Sequence, residues 1–247
     1  MIVLFTDFGL EGPYTGQIAA VLQQTAPAVP AISLFADLSP GLAKSSAYLL
    51  AAYSAWFPAG TVFLCVVDPG VGSDRRALIV EADERFYVGP DNGLFEIVLR
   101  RTAQSRTWQI TWQPAALSAS FHGRDLFAPV AARLARGERP ESVGAPAQAL
   151  RQPGWPDDLA EIVYIDRYGN ALTGLRGEIV PARARLSAGD RLVQHAATFS
   201  AVPPGTPFWY VNSNGLAEIA VNQGRAEREL RLAIGAPIAI VPEAAVN

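Results

Sequence analysis

The chain has 247 residues, of which half are hydrophobic and 17% are charged, so it is too long for a mini-protein and too apolar for a disordered chain. Twenty basic and 23 acidic side chains leave a formal charge of -3 without an extended basic run, so nucleic acid is not an expected partner. A single cysteine, Cys65, and two histidines exclude an intramolecular disulfide and a zinc site built from thiolates or clustered imidazoles. This cysteine usage favours a reducing compartment.

The N-terminal apolar run meets Asp7 too early to be the hydrophobic region of a signal peptide, and we interpret it as a buried strand. Every other apolar stretch is interrupted by Pro, Gly or charge before the ~18 to 20 residues that a membrane helix needs. We therefore expect a soluble, cytoplasmic protein without a membrane partner.

The first 150 residues alternate between short apolar runs bounded by turn residues and longer stretches compatible with helices. The predicted strands are residues 2–5, 31–35, 61–67, 78–81, 85–88 and 108–111, with 78–81 and 85–88 forming a short hairpin, and the predicted helices are residues 14–25, 42–56, 93–101 and 124–136. Such alternation is typical of βα units, so we expect an α/β N-terminal domain with a mainly parallel central sheet.

The segment from Arg151 to Asp158, RQPGWPDD, combines two prolines, a glycine and two acids, which is typical of a linker. We therefore predict domains at residues 1–152 and 158–247. The second contains short β-like runs at residues 161–166, 191–194, 208–211, 218–221 and 238–241, with one short helical stretch near residue 225. This pattern predicts a small all-β barrel or sandwich.

Three motifs of the N-terminal half place polar groups beside apolar strands or a helix. In TDFG, Asp7 directly follows the first strand, at the edge where α/β sheets bind ligands, although a plain capping role is an equal alternative. In VVDPGVGSDRR, Asp68 ends a second strand, and Arg75 is placed to pair with it, either as a working group or as an ordinary surface ion pair. In FHGRD, His122 precedes a predicted helix, whose N-terminus favours a neutral imidazole.

Three further motifs contain turn residues. PDNG, at 90–93, is interpreted as a structural turn, whereas YIDRYGN and YVNSNG follow predicted strands of the second domain. In these two, Asp166 and Ser213 offer groups for an amine and a carboxylate, and Asn170 offers a paired donor and acceptor to a purine edge. His195 is interpreted as structural.

Taken together and in this order, TDFG, DPGVGSDRR, PDNG, FHGRD, IDRYGN and EIAVNQG resemble the S-adenosyl-L-methionine hydroxide adenosyltransferases over essentially the whole chain. This family hydrolyses S-adenosylmethionine to adenosine and is related to the fluorinase and chlorinase halogenases. The resemblance implies an N-terminal α/β domain, a C-terminal β-barrel and a homotrimer in which each active site lies between the N-terminal domain of one subunit and the C-terminal domain of a neighbour.

The resemblance also implies residue roles. Asp68, Arg75 and His122 would position and activate water, with S-adenosylmethionine as substrate and neither a metal nor another cofactor. The implied substrate contacts are Asp7 for the ribose hydroxyls, Asp166 and Ser213 for the methionine amine and carboxylate, Asn170 for the adenine edge and Phe199 for the adenine face.

Departures from the halogenases favour water as the nucleophile. The halogenases carry Tyr at the position of Asp68, and the fluorinase carries Ser at the position of Gly123. A carboxylate beside the reacting centre repels halide, and glycine lacks the hydroxyl that would bind fluoride. Gly12, Ala20 and Asn214 also differ from residues of several relatives, which affects the methionine end of the site.

Two other kinds of protein are compatible with parts of the sequence. One is a binder of S-adenosylmethionine or adenosine without turnover, which would not need the water-activating residues. The other is a nucleotide hydrolase whose divalent metal is held by Asp7, Asp68 and Asp91, and dependence on metal would reveal it.

Overall fold

A computed structural model describes residues 1–242 of the chain. The chain divides into two compact units: unit 1 is Met1–Pro153, and unit 2 begins at Gly154. Within residues 1–242, no helix combines the length and the apolar character that crossing a membrane requires.

Unit 1 combines one sheet with four α-helices. Its strands are β1 (Ile2–Thr6), β2 (Ala31–Phe35), β3 (Val62–Val66), β4 (Ala77–Ala82), β5 (Arg85–Pro90), β6 (Ser105–Ile110) and β7 (Gly144–Pro146). Its α-helices are α1 (Tyr14–Thr25), α2 (Ala43–Ser54), α3 (Glu96–Arg101) and α4 (Ala128–Ala135). A π-helical turn, Gly123–Phe127, precedes α4, and a 3₁₀ turn, Pro140–Ser142, follows it.

The seven-stranded sheet of unit 1 is mixed, and the prediction of a mainly parallel sheet is wrong. The strand order is β2-β1-β3-β5-β4-β6-β7. The first four strands in this order are parallel to one another, whereas β4 pairs antiparallel with β5 and β6, and β7 pairs antiparallel with β6. A parallel pair needs a long crossover, but Asp83 and Glu84 alone join β4 to β5. Both have positive φ, as a two-residue hairpin turn requires.

The centre of unit 1 is apolar on both sides of the sheet. Every residue of β1 and β3 is buried, which is the pattern of strands covered on both faces. Ile18 and Leu22 of α1 and Val130 of α4 belong to one buried cluster with these strands. Cys65, in the middle of β3, is fully buried, and burial raises the pKa of its thiol well above the ordinary value.

The end of unit 1 is fixed to α3 by a buried carboxylate. The Glu96 side chain is 1% exposed and accepts hydrogen bonds from Arg100 Nε at 2.7 Å, Arg151 Nε at 2.8 Å and the Gln152 backbone N–H at 3.0 Å. Burial acts to raise its pKa, but the hydrogen bonds from Arg151 and Arg100 outweigh burial and lower the pKa to about 2. The first two residues of the predicted linker, Arg151 and Gln152, are therefore anchored to α3.

Unit 2 is rich in strands. They are β8 (Leu159–Ile165), β9 (Ala171–Arg176), β10 (Arg185–Ala188), β11 (Arg191–His195), β12 (Pro207–Val211), β13 (Leu216–Val221) and β14 (Ala239–Val241), with a one-turn helix α5 (Ala226–Glu229) and 3₁₀ turns at Gly177–Ile179 and Phe199–Ala201. The order is β14-β10-β11-β12-β13-β9-β8, and only the β11–β12 pair is parallel among these. The sheet curls as a half-barrel, and a bridge between Glu161 and Pro237 links β8 to the segment before β14.

Two strands of unit 2, β9 and β10, were not predicted from the sequence. Strand β9 reads ALTGLR, and a glycine inside a strand normally argues against one. The glycine is needed because β8 lies close: a Cβ on Gly174 would lie 2.6 Å from the Cβ of Leu159. Strand β10, RLSA, is too short for its alternation to be recognised.

Candidate active site

Two carboxylates lie at the same edge of the sheet in unit 1. Strands β1 and β3 are parallel neighbours with Thr6 opposite Val66, so both strands end side by side. Asp7 follows β1, and its backbone N–H donates to the Val66 carbonyl at 3.3 Å. Asp68 follows β3 by two residues. Sheet register thus brings together two acids that are 61 positions apart in sequence (68 minus 7).

The loop after β3 folds tightly because two glycines lack side chains. A Cβ on Gly72, whose φ is +79°, would lie 2.6 Å from the Ala119 carbonyl oxygen. A Cβ on Gly70 would lie 3.4 Å from Cγ of Arg75. These close approaches hold the loop against the segment that leads to His122 and turn Arg75 back towards the strand end.

Asp68 and Arg75 form a bidentate ion pair. Arg75 Nε donates to the two carboxylate oxygens of Asp68 at 2.9 and 3.1 Å, and Nη2 donates to one of them as well. The side chains are 4% and 10% exposed, respectively, so this is not an ordinary surface pair. The guanidinium also lies 5.1 Å from the ring centroid of Phe127, which adds a cation–π contact.

His122 joins this pair through one ring nitrogen. Arg75 Nη2 lies 3.0 Å from His122 Nδ1, and because a guanidinium can only donate, Nδ1 accepts. Burial and then the charge of Arg75 lower the pKa of His122 below its ordinary value. The ring is therefore neutral, with its proton on Nε2. A π-helical turn starts at the next residue, Gly123. Such turns are rare and often occur at functional sites.

Asp7 lies beside this cluster with a partner of its own. Its Oδ2 accepts a hydrogen bond from the Gly41 backbone N–H at 2.9 Å. Burial raises the pKa of Asp7, the Gly41 hydrogen bond opposes this, and the negative charge of Asp68 raises the pKa further. A carboxylate with one oxygen held by backbone keeps its other oxygen for a hydroxyl donor.

A small cavity of about 70 Å³ opens onto these groups. It is lined by Asp7, Phe8, Val66, Asp68, Val71, Ser120, Phe121, His122 and Gly123. With ~30 Å³ per water in the liquid, it has room for a few water molecules and not for a nucleoside. Larger, open clefts near Arg106 are lined by other residues. The polar cluster therefore faces a water-sized space.

Asp91, the third acid considered for a metal site, is engaged elsewhere. It pairs with Arg76, and its Oδ1 accepts a hydrogen bond from the Leu150 backbone N–H at 2.8 Å. Among residues 1–242, no group of three or more His, Cys, Asp or Glu side chains is arranged to hold a metal ion. The arrangement does not bring Asp91 into a metal-ligating group with Asp7 and Asp68.

In unit 2, two of the predicted substrate residues lie in the turn between β8 and β9. The Asn170 backbone N–H donates to Asp166 Oδ1 at 2.8 Å, and Asn170 Nδ2 donates to Asp166 Oδ2 at 3.2 Å. Helix α5 supports the turn, because the Glu227 N–H donates to the Gly169 carbonyl at 3.0 Å. Asp166 and Asn170 thus form one hydrogen-bonded pair.

The other two predicted substrate residues of unit 2 lie near β12. Ser213 is in the β12–β13 turn, and half-buried Phe199 packs edge-on against Phe208 at 5.1 Å between ring centroids. His195, interpreted as structural, lies 4.5 Å from Trp209 between ring centroids.

Sequence reasoning missed a buried carboxyl group, Glu218, although the motif EIAVNQG that contains it was noted. Glu218 is 5% exposed and accepts hydrogen bonds from Tyr210 Oη and Asn212 Nδ2. The available signal was its position: Glu218 interrupts the otherwise apolar strand LAEIAV. A charged residue in a fully buried strand indicates a polar network.

Comparison with known proteins places both units in one family. The SAM hydroxide adenosyltransferase N-terminal domain matches residues 2–144, and the C-terminal domain of the same family matches residues 160–239. The fold and site thus define a two-domain protein of the adenosyltransferase class. The chain belongs to the SAM hydroxide adenosyltransferase family.

Individual relatives cover nearly the whole chain. The (R)-S-adenosyl-L-methionine hydrolase of Thermus thermophilus is 37% identical, covering 97% of this chain and 99% of the relative. The fluorinase of Actinopolyspora mzabensis is 24% identical, covering 90% of each. The crystal structure of an uncharacterized conserved protein from Thermotoga maritima superposes with a TM-score of 0.87 at 30% identity, covering 98% of this chain and 100% of that one.

Proposed function

We propose that this protein hydrolyses S-adenosyl-L-methionine to adenosine and L-methionine, without a metal or other cofactor. The observation that carries the proposal is that Asp68 and His122, which are joined through Arg75, both line a water-sized cavity. A protein that only binds the substrate has no use for such a cluster. Hydrolase relatives at 31 to 37% identity support the same activity.

The chemistry is displacement at C5′ of the ribose. The water oxygen forms a bond to C5′ while the bond from C5′ to sulfur breaks, and the electron pair goes to sulfur, which leaves as a neutral thioether. The water must be oriented and must lose a proton. Because the leaving group needs no protonation, the protein acts mainly on the nucleophile.

The roles of the three residues follow from their hydrogen bonds. Oδ2 of Asp68 accepts from both Nε and Nη2 of Arg75, whereas Oδ1 accepts from Nε alone and still has a lone pair for a water proton, so Asp68 is the acceptor. His122 presents Nε2–H and holds the water by donating to its oxygen. Arg75 fixes the orientation of both partners.

The substrate contacts are proposed as the resemblance implies. Asp7 holds the ribose hydroxyls, Asp166 and Ser213 hold the methionine amine and carboxylate, Asn170 reads the adenine edge, and Phe199 packs on the adenine face. The pKa of Asp7 is raised, first of all because burial disfavours its charged form. Hydrogen bonds donated by the ribose hydroxyls would stabilise that charged form.

The proposed assembly is a cytoplasmic homotrimer with an α/β domain at residues 1–152 and a β-barrel domain at residues 158–247. Each active site would combine the first domain of one subunit with the second domain of a neighbour. The cavity is too small for the whole substrate, which supports a site that is completed by residues outside unit 1. Mixing inactive Asp68→Asn and Asp166→Ala subunits should restore activity, because some sites would then combine two intact domains. A mixture that stays inactive would contradict the shared site.

The test of the activity is chromatography of the products after incubation with S-adenosylmethionine. Adenosine and methionine should form in equal amounts, with or without a chelator and without halide. A 5′-halo-adenosine formed with chloride or fluoride would instead identify a halogenase. Substrate binding without turnover would identify a binder, and loss of activity on chelation would contradict the metal-independent mechanism.

A further inference from the structure

Glu218 lies on the face of β13 that does not contribute to the main apolar cluster of unit 2. Neighbouring residues of a strand point to opposite faces. Ala217, Ile219 and Val221 belong to the main cluster. Ala220 belongs instead to a small cluster that includes Phe208, with Phe199 and Tyr210 at its edge. By alternation Glu218 shares this second face with Ala220.

The carboxyl group of Glu218 is held by neutral donors from other parts of unit 2. Tyr210, directly opposite on β12, donates through Oη at 2.5 Å, and Asn212 Nδ2 donates at 2.8 Å. The side-chain amide of Asn170, which directly precedes β9, also lies near this carboxyl group and acts to lower its pKa. Burial raises the pKa of Glu218, these hydrogen bonds oppose the rise, and the charge of Asp166 adds to it.

Two of these neighbouring side chains, Tyr210 and Asn170, contact a predicted substrate residue directly. Tyr210 packs against Phe199 with 5.5 Å between ring centroids. Asn170 is itself a predicted substrate residue and is hydrogen-bonded to Asp166.

Asn212 directly precedes Ser213 and shapes its turn. Its Oδ1 accepts from the Asn214 N–H at 2.9 Å and the Leu216 N–H at 3.0 Å. Through three neighbouring side chains, two of which donate to it, one carboxyl group is thus connected to all the predicted substrate residues of unit 2.

We propose that Glu218 is a positioning residue that fixes the relative places of the groups that hold the adenine and methionine ends of the substrate. This inference rests on the proposed function. A buried carboxyl group on a sheet face is costly for folding, and an apolar residue would suit β13 better. Its presence is explained if it organises a site.

The test is Glu218→Gln in the full-length chain. Glutamine keeps the size of the side chain but replaces one acceptor oxygen with a donor, which then faces Asn212 Nδ2 or Tyr210 Oη. We expect the KM for S-adenosylmethionine to rise by about ten-fold or more, because small displacements of positioning groups have large effects. The value of kcat should change little, since Asp68, Arg75 and His122 are unaffected. Thermal stability should be unchanged or higher.

Glu178→Gln is the matched control, because Glu178 is a 70% exposed glutamate of the same unit. It should leave KM and stability unchanged. A purely structural Glu218 would instead give a lower melting temperature with an unchanged KM, and that result would overturn the proposal.

A second variant, Tyr210→Phe, removes only the hydroxyl that links Glu218 towards Phe199. Adenosine affinity should fall more than methionine affinity, whereas Glu218→Gln should weaken both. Equal binding of both products by wild type and variants would refute the positioning role.

Turnover by the wild-type protein separates the two proposals. If wild type binds S-adenosylmethionine without hydrolysing it, the proposed activity fails, and calorimetric affinities of the same variants still decide the role of Glu218. If wild type neither binds nor hydrolyses it, both proposals fail.

Discussion

Asp68→Asn separates the stability of the Asp68–Arg75 pair from its chemistry. The substitution keeps the shape of the side chain but removes the negative charge opposite a guanidinium that is 10% exposed. Breaking a buried pair in this way costs about 3 to 5 kcal/mol. Arg75 keeps its contacts with His122 and the ring of Phe127, so we expect the lower end, about 3 kcal/mol.

In a unit of this size, each kcal/mol shifts the melting temperature by about 2 to 4 °C, so Asp68→Asn should lower it by roughly 6 to 12 °C. Loss of the proposed proton acceptor should reduce kcat by about 10²- to 10⁴-fold. Substrate affinity should change far less. Differential scanning calorimetry, product chromatography and calorimetric binding measure the three quantities.

Asp91→Asn provides the control, because Asp91 is also buried and paired with an arginine of unit 1, but its contacts are Arg76 and the Leu150 backbone. It should lower the melting temperature and leave kcat unchanged at temperatures where the variant is folded. Equal losses of kcat in both folded variants would refute the assignment of Asp68 as proton acceptor.

Further outcomes are expected from other residues of unit 1. Burial and the Arg75 charge lower the pKa of His122, so the native state binds fewer protons than the unfolded state, and stability should fall as pH drops below the ordinary value of 6.5. Nuclear magnetic resonance should show a neutral His122 ring protonated at Nε2, and the His195→Gln variant assigns the signals of the two histidines. In Gly123→Ser, a Cβ would lie 3.0 Å from Cζ of Phe8, so the free energy of unfolding in denaturant should fall by about 1 to 3 kcal/mol. This variant should form no halogenated product, and chloro- or fluoro-adenosine would contradict the expectation. Glu96→Gln should lower the free energy of unfolding by about 3 kcal/mol at neutral pH, measured by chemical denaturation. Wild type should lose the same stabilisation as pH falls from 4.5 to about 2. A variant as stable as wild type would show that the carboxylate does not anchor α3.

Local pattern was sufficient for much of unit 1. The helix predicted at 14–25 and the strand at 31–35 have the same bounds in the structure. The parallel sheet was wrong because the alternation rule does not say where a hairpin such as β4–β5 joins a sheet. That placement depends on contacts between distant segments.

Around the candidate site too, sequence reasoning recognised local patterns and missed contacts between distant segments. Strand ends that carry Asp7 and Asp68 could be recognised, because β1 and β3 are strongly apolar. The hydrogen bond between Arg75 and His122 spans 47 positions and depends on how two loops pack, so the tautomer of His122 could not be predicted. Glu218 was missed because its partners come from separate strands and turns.

The buried thiol of Cys65 offers a way to observe unit 1 alone. Cys65 is the only cysteine of the chain and lies on β3, between β1 and β5 in the sheet. A thiol reagent can modify it only after the sheet opens, so the modification rate reports the opening free energy of unit 1. A substrate that binds the native state should slow this labelling. The chain thus contains its own chemical probe of how ligands affect one half of the molecule.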